Sequence, residues 1–198
     1  MIGLLKTTDI YLIDQILKGR FEYSNRVVDL GCGGGRNLPY FLKNNFDVYG
    51  IDEDEEKISA TKELVEFWNP NVDMDQFQVR SIENHGLPKG SFDLVICNAV
   101  LHFANNQNHF EQMLKASFAL LKPGGLFFAR LATDIGIEHL VKPLSDGRYL
   151  LPDESERYLV NQNQLITYTK QLNAYLVEPI KTTNVQNLRC MTTWCMTV

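Results

Sequence analysis

The run Asp29-Leu30-Gly31-Cys32-Gly33-Gly34-Gly35-Arg36 places glycines at alternate positions directly after the apolar stretch Arg26 to Leu30. Glycine adopts positive φ readily and lets main chain approach a ligand with no Cβ between them. A helix that follows such a turn offers free N–H groups and positive potential to an anion. The combination describes a site for a nucleotide-like molecule. A dinucleotide fingerprint needs G-x-G-x-x-G, and counted from Gly31 and Gly33 its last glycine falls on Arg36, so the packing glycine is missing. A second apolar run, Val48 to Ile51, leads into Asp52. A carboxylate at the C-terminal end of a strand can accept both hydroxyls of a ribose, with Glu53 as the neighbouring substitute. The other reading of Asp52 is a helix cap or a solvated acid in the run Asp52 to Glu56.

These residues need elements to hold them. The apolar runs Arg26–Leu30, Phe46–Ile51, Gln76–Val79, Phe92–Cys97 and Gly125–Leu131 alternate with stretches of helical period. The helical stretches are marked by Leu38/Phe41/Leu42, by Ile58/Leu64/Val65/Trp68 and by Phe110/Met113/Leu114/Phe118/Leu121, the last closed by Lys122-Pro123-Gly124-Gly125. Strand and helix in alternation predict an α/β fold, a doubly wound parallel sheet with helices on both faces. From residue 133 to 162 the chain turns polar and reads as an insertion. A helix near Asn163 to Leu172 follows, and the extended segments Ala174–Thr183 and Leu188–Val198 are close enough to pair as an antiparallel hairpin. The expected organisation is one domain over residues 1–198, with a ligand-binding core at 26–132, the insertion at 133–162 and a helix with hairpin at 163–198.

The spacing D-x-G-x-G-x-G resembles the S-adenosylmethionine (SAM) binding turn of class I methyltransferases. Leu87 to His102 resembles that family's fourth strand and the loop beyond it, and Leu121 to Phe127 resembles the entry to its fifth. The resemblance implies a mostly parallel seven-stranded sheet whose last strand is antiparallel, and SAM as cofactor. It implies that Asp29, Gly31, Cys32, Gly33 and Gly35 form the cofactor turn, with Asp52 or Glu53 at the ribose. Ser81, standing where the family often has an acid, and Ile82 fall at the adenine, and Asn98 lies along the methionine portion. Arg36 either pairs with the SAM carboxylate or is a solvated residue at a helix start.

The implied reaction is in-line transfer of the methyl group from an already activated sulfonium to a small-molecule acceptor, so alignment and exclusion of water are the protein's main tasks. His102 is the candidate general base, set against a reading in which it merely packs and hydrogen-bonds. The insertion is a candidate acceptor lid, with His139, Arg148 and Tyr149 as acceptor contacts, set against a solvated hairpin with no such role.

Composition narrows the classes. With 198 residues and 44% hydrophobic content the chain can bury one sizeable core. The 19 basic against 24 acidic residues, a formal charge of -5, give no electrostatic footprint for a nucleic-acid backbone. Cys32, Cys97, Cys190 and Cys195 form no CxxC pair and fit reduced thiols in a cytoplasmic protein, and no metal site is expected. The first twenty residues lack the apolar core of a secretory leader, and no segment is long enough to span a bilayer. The competing functions are an RNA or protein methyltransferase, a non-catalytic SAM-binding module and an NAD-dependent oxidoreductase.

Overall fold

The computed structural model describes residues 5–23 and 25–198, so the first four residues of the amino-terminal stretch lie outside the described residues. Helix α1 (Ile10–Leu17) is capped by Asp9, whose carboxylate accepts the Tyr11 N–H at 2.9 Å. The chain then runs through β1 (Arg26–Leu30), α2 (Pro39–Lys43), β2 (Asp47–Asp52), α3 (Glu55–Trp68), β3 (Phe77–Val79), β4 (Phe92–Asn98), α4 (Gln107–Phe118) and β5 (Leu121–Thr133). A small antiparallel sheet of β6 (Lys142–Pro143), β7 (Arg148–Leu150) and β8 (Glu156–Tyr158) follows. The chain ends with α5 (Gln162–Gln171), β9 (Tyr175–Leu176), β10 (Lys181–Val185) and β11 (Arg189–Thr197).

The main sheet has the order β3-β2-β1-β4-β5-β11-β10. Strands β3 to β5 run parallel, β11 is antiparallel to both β5 and β10, and the short β9 continues along the edge of β11. This is the doubly wound, mostly parallel seven-strand sheet with a C-terminal antiparallel hairpin that the sequence predicts. Its central strands are mostly apolar because both faces are covered, with Asp29 in β1 and Asn98 in β4 as buried polar exceptions. Alternate side chains sort by face: Val28, Val95, Phe127 and Trp194 join one buried cluster, while Val27, Ile96, Phe128 and Cys195 join the other. Burying each such aromatic or branched side chain stabilises the fold by roughly 1.5–3 kcal/mol. Helix α5 is fixed to β11 by polar contacts as well. The Trp194 indole N–H donates to Thr169 Oγ1 at 3.0 Å, and that hydroxyl donates to the Leu165 carbonyl at 2.8 Å.

Four local expectations change. The helix after the glycine turn is only five residues long, because Pro39 sets its first turn and Asn45, at φ 58°, ends it. Arg36 therefore precedes the helix rather than opening it. The Pro123-Gly124-Gly125 run lies inside β5, where the pairing with β4 shifts register between Phe92 and Leu94. Within Ala174–Thr183 only Tyr175–Leu176 and the residues from Lys181 onward pair as strand. The polar stretch after Thr133 holds the three-stranded sheet, more structure than its turn signals announced. Among the described residues no helix is long and apolar enough to cross a membrane.

Two features of the core support the turn that follows β1. Gly50 in β2 lies opposite Asp29, and a Cβ there would stand 2.8 Å from the Phe77 ring and 3.2 Å from the Cys32 sulfur. Asp29 itself is fully buried. One carboxylate oxygen is 3.5 Å from the Asn37 amide, the other has no hydrogen-bond partner, and burial pushes its pKa up to about 7.

Gly50→Ala is expected to lower stability by about 1–3 kcal/mol through overpacking. Gly34→Ala, whose added carbon meets only Ala60 at 4.0 Å, should stay within about 0.5 kcal/mol, as read from urea unfolding. Because the folded pKa of Asp29 is raised, the wild type should lose stability progressively from its ordinary value of 3.8 to about 7 and level off above. Asp29→Asn removes that ionisation, so its melting temperature should lack this falling limb when both proteins are scanned from acid to neutral pH.

Candidate functional site

The C-terminal ends of β1 and β4 lie side by side at the point where the chain leaves the sheet toward opposite faces, which is where open α/β sheets bind ligands. The turn after β1 is pinned there by main chain. Gly31 and Cys32 N–H groups both donate to the Ile51 carbonyl, at 2.7 and 3.0 Å, and the Gly33 N–H donates to the Asp52 carboxylate at 2.8 Å. From α3 the Thr61 hydroxyl donates to the Gly33 carbonyl at 2.6 Å. Gly31 and Gly33 hold φ of 72° and 55°, a region that side chains other than glycine rarely adopt. The crowding differs between them: a Cβ on Gly31 would stand 2.5 Å from Val100, whereas one on Gly33 would meet nothing within 4 Å.

A cavity of about 270 Å³ opens beside this turn. Gly31, Asp52, Glu53 and Ile82, all singled out in the sequence, line it, joined by Val100, Phe103 and Met113 from the β4 loop and α4. Asp52 does not cap a helix, since Asp54 is the residue that accepts the Glu56 and Lys57 N–H groups. Its two oxygens take only the Gly33 and Asp54 N–H groups, so each retains a lone pair for a ligand hydroxyl. Ser81 does not line the cavity; its hydroxyl accepts from the Asn84 amide at 3.2 Å, and Arg80 and Glu83 reach the rim instead. Cys32 is buried, with its thiol pKa pushed far up by desolvation. Gly35 is buried and packs against Thr61.

At the end of β4 the backbone itself is unusual. Asn98 is buried, and neither its amide nitrogen nor its oxygen has a hydrogen-bond partner. Ala99 follows at φ 62°, held by donating its N–H to the Arg130 carbonyl at 2.7 Å. An alanine in this region carries strain of about 1–2 kcal/mol.

Ala99 is also a shared wall, because a second cavity of about 300 Å³ begins on its other side. Arg36, Arg130, Arg157 and Arg189 line this second space together with His102. The four arginines are far apart in the chain and come from the glycine turn, β5, β8 and β11. The signal available in the sequence was Arg130, a lone charge inside the apolar run Leu126–Leu131.

His102 is buried, and its Nδ1 accepts the Ala132 N–H at 3.1 Å. Desolvation, then Arg157 and Arg189, lower its pKa to about 3. The neutral ring therefore carries its hydrogen on Nε2 and can donate there. The three acceptor candidates of the insertion are not brought together. His139 is exposed, Arg148 pairs with Glu156 at 3.2 Å, and Tyr149 faces a different hollow beside Asp134 and Asn161. From the same insertion Leu151, Asp153, Ser155 and Arg157 reach the arginine-lined cavity instead.

The comparisons with known proteins agree with this geometry. A family profile described as "Methyltransferase domain" matches residues 28–129, the stretch that contains the glycine turn and the five parallel strands. A ubiquinone biosynthesis O-methyltransferase of Coxiella burnetii is 32% identical over 149 residues, covering 70% of this chain and 59% of that protein. The chain thus spans less than two thirds of that relative's length. Among solved structures, the 1,6-didemethyltoxoflavin-N1-methyltransferase of Burkholderia thailandensis, with bound S-adenosylhomocysteine, aligns with a TM-score of 0.70 at 18% identity. That alignment covers 92% of this chain and 74% of the other. Magnesium protoporphyrin IX methyltransferase of Synechocystis PCC 6803 aligns with a TM-score of 0.69 at 16% identity, covering 99% and 84%. With the glycine spacing, the acid after β2 and the strand order all in place under the matched profile, the chain belongs to the class I S-adenosylmethionine-dependent methyltransferase family.

Proposed function

We propose that this protein transfers the methyl group of SAM to a small-molecule acceptor. The observation that carries the reading is the pair of cavities meeting at Ala99, one lined by Gly31 of the glycine turn and by Asp52, the other by arginines from four separate parts of the chain. The residues fit the cofactor: Gly31 and Gly33 leave main chain bare, Asp52 has free lone pairs, and Asn98, which lines neither cavity, keeps a buried, unpartnered amide directly before Ala99. Asp52 would hold the ribose, with Glu53 beside it, Ile82 would pack on the adenine, and Asn98 would take the methionine portion. Asp29, Cys32 and Gly35 act from behind, shaping the turn. When bound, the cofactor supplies an activated methyl group on a sulfonium.

This chain's own residues then orient and exclude. Val100, Phe103 and Met113 provide apolar walls that keep water from the first cavity, and the strained Ala99 turn sets the passage to the second. His102, the histidine of the second cavity, is neutral and donates from Nε2. Acceptors that are already nucleophilic, or that lose their proton to solvent, suit such a site. The segment at 133–162, as part of one domain with the rest, covers the acceptor side through Leu151, Asp153, Ser155 and Arg157. The relatives named as ubiquinone biosynthesis O-methyltransferase and toxoflavin N1-methyltransferase support a small-molecule acceptor, and four free, buried cysteines support a cytoplasmic setting.

Asp52→Ala should weaken SAM binding by more than about tenfold, measured by calorimetry, because two ribose hydrogen bonds to an ionised group are lost. An unchanged dissociation constant removes Asp52 from the site. For His102 the lowered pKa means that the neutral form persists down to about pH 3. Nitrogen chemical shifts of the labelled ring should therefore report one Nε2–H tautomer between pH 5 and 8, and a titration within that window would restore it as a base.

A further inference from the structure

On the reading of the first cavity as the cofactor site, we propose that the second cavity holds the acid group of the methyl acceptor, which is a small organic oxyanion, a carboxylate or phosphate carried on an apolar body. Four arginines line this space, and among the described residues two of them pair with a carboxylate. Arg130 donates to Asp9 at 2.7 Å and Arg189 lies 3.4 Å from Asp153. Among the described residues Arg36 and Arg157 make no salt bridge, and Arg157 instead lies over the Phe103 ring with its charged carbon 4.8 Å from the centroid. The Nε of Arg130 is buried without a hydrogen-bond partner, and His102 adds a further buried donor.

A convergence of like charges is unfavourable until an anion enters it, and planar guanidinium forks match a carboxylate or phosphate in pairs. The cofactor cannot supply that anion in sufficient measure. Its amino-acid end carries one carboxylate balanced by one ammonium, and its sulfonium would add a further positive charge. Beside Asp153 and Ser155, the remaining lining is apolar, with Ala132, Leu151, Val185 and Met191, and an apolar body of the acceptor would pack on these. The insertion contributes Arg157 and Leu151 to this recognition, which gives residues 133–162 a specificity role through positions other than Arg148 and Tyr149.

The test uses the full chain saturated with S-adenosylhomocysteine and titrated calorimetrically with benzoate, phenyl phosphate and the neutral benzamide. At least one of the two anions should bind at least about tenfold more tightly than benzamide, and whichever binds better identifies the acid group. Arg157→Gln should weaken that anion by about tenfold or more and leave S-adenosylhomocysteine affinity unchanged, with Arg157→Lys, which keeps the charge but loses the fork, in between. Arg189→Gln, from a different strand, should act in the same direction. Equal binding of anions and benzamide, or no binding of any of the three, overturns the proposal. So does an Arg157→Gln variant that loses the cofactor product instead, since the cavity would then belong to the cofactor. Failure of the wild type to bind S-adenosylhomocysteine at all is a separate result and sinks the cofactor reading itself.

Discussion

The hydrogen bond from the Gly33 N–H to the Asp52 carboxylate joins the two parts of the site that must not move relative to each other. The turn after β1 has no regular secondary structure of its own, and the helix that follows is too short to brace it. Its position is set instead by Ile51, which accepts two N–H groups at the end of β2, by Asp52 immediately after, and by Thr61 from α3. Each bond is worth only about 1 kcal/mol net. Together they fix the main chain from both sides and leave each Asp52 oxygen a lone pair for a ligand. Gly50 belongs to the same constraint, because only a residue without a side chain lets Phe77 and Cys32 close over β2 beneath the turn.

Behind the turn a polar chain ties in the amino-terminal segment. Asp29 lies within reach of the Asn37 amide, Asn37 accepts the Asp9 N–H at 3.2 Å, and the Asp9 carboxylate pairs with Arg130. Asp9 also caps α1, so one side chain both starts that helix and seats it against β5. Breaking such a buried pair from one side is costlier than the pair is worth, since the survivor is left charged and unsolvated. The consequence for the site is positional: Arg130 is held rigid at the wall of the second cavity, and the Arg130 carbonyl in turn holds Ala99 in its strained conformation.

The parts legible in the sequence are those whose physics is local. Alternation of apolar runs gave the sheet, because strands buried on both faces admit little else, and the glycine spacing marked the turn, because positive φ selects for glycine. Asp52 was readable for the same reason, a carboxylate at a strand end next to that turn. Ala99 was not: it reaches φ 62° through a hydrogen bond to Arg130, a contact between distant positions that no local pattern announces. The same holds for His102, whose type suggested a base while its burial and the Ala132 N–H set its charge and tautomer. In the insertion, too, the sequence does not say which side chains meet: His139, Arg148 and Tyr149 are not brought together, and Leu151, Asp153, Ser155 and Arg157 share one cavity. Tyr149 and Arg157 are directly paired across β7 and β8 and so share a face of that sheet, yet Arg157 lines the arginine cavity while Tyr149 lines the hollow beside Asp134.

A chain with a formal charge of -5 that gathers four arginines around one hollow separates its long-range field from its local one. Beyond a Debye length of about 8 Å at physiological salt, the net charge of the exposed surface is largely screened. Inside the hollow the screening is weaker and the guanidinium groups dominate, which favours a single small anion that can leave its water behind. The sulfonium of a cofactor in the adjoining cavity would add to the same local potential and draw an anionic acceptor toward the passage at Ala99. Selectivity for charge and productive placement would then arise from one electrostatic arrangement, and a catalytic base need not be part of it.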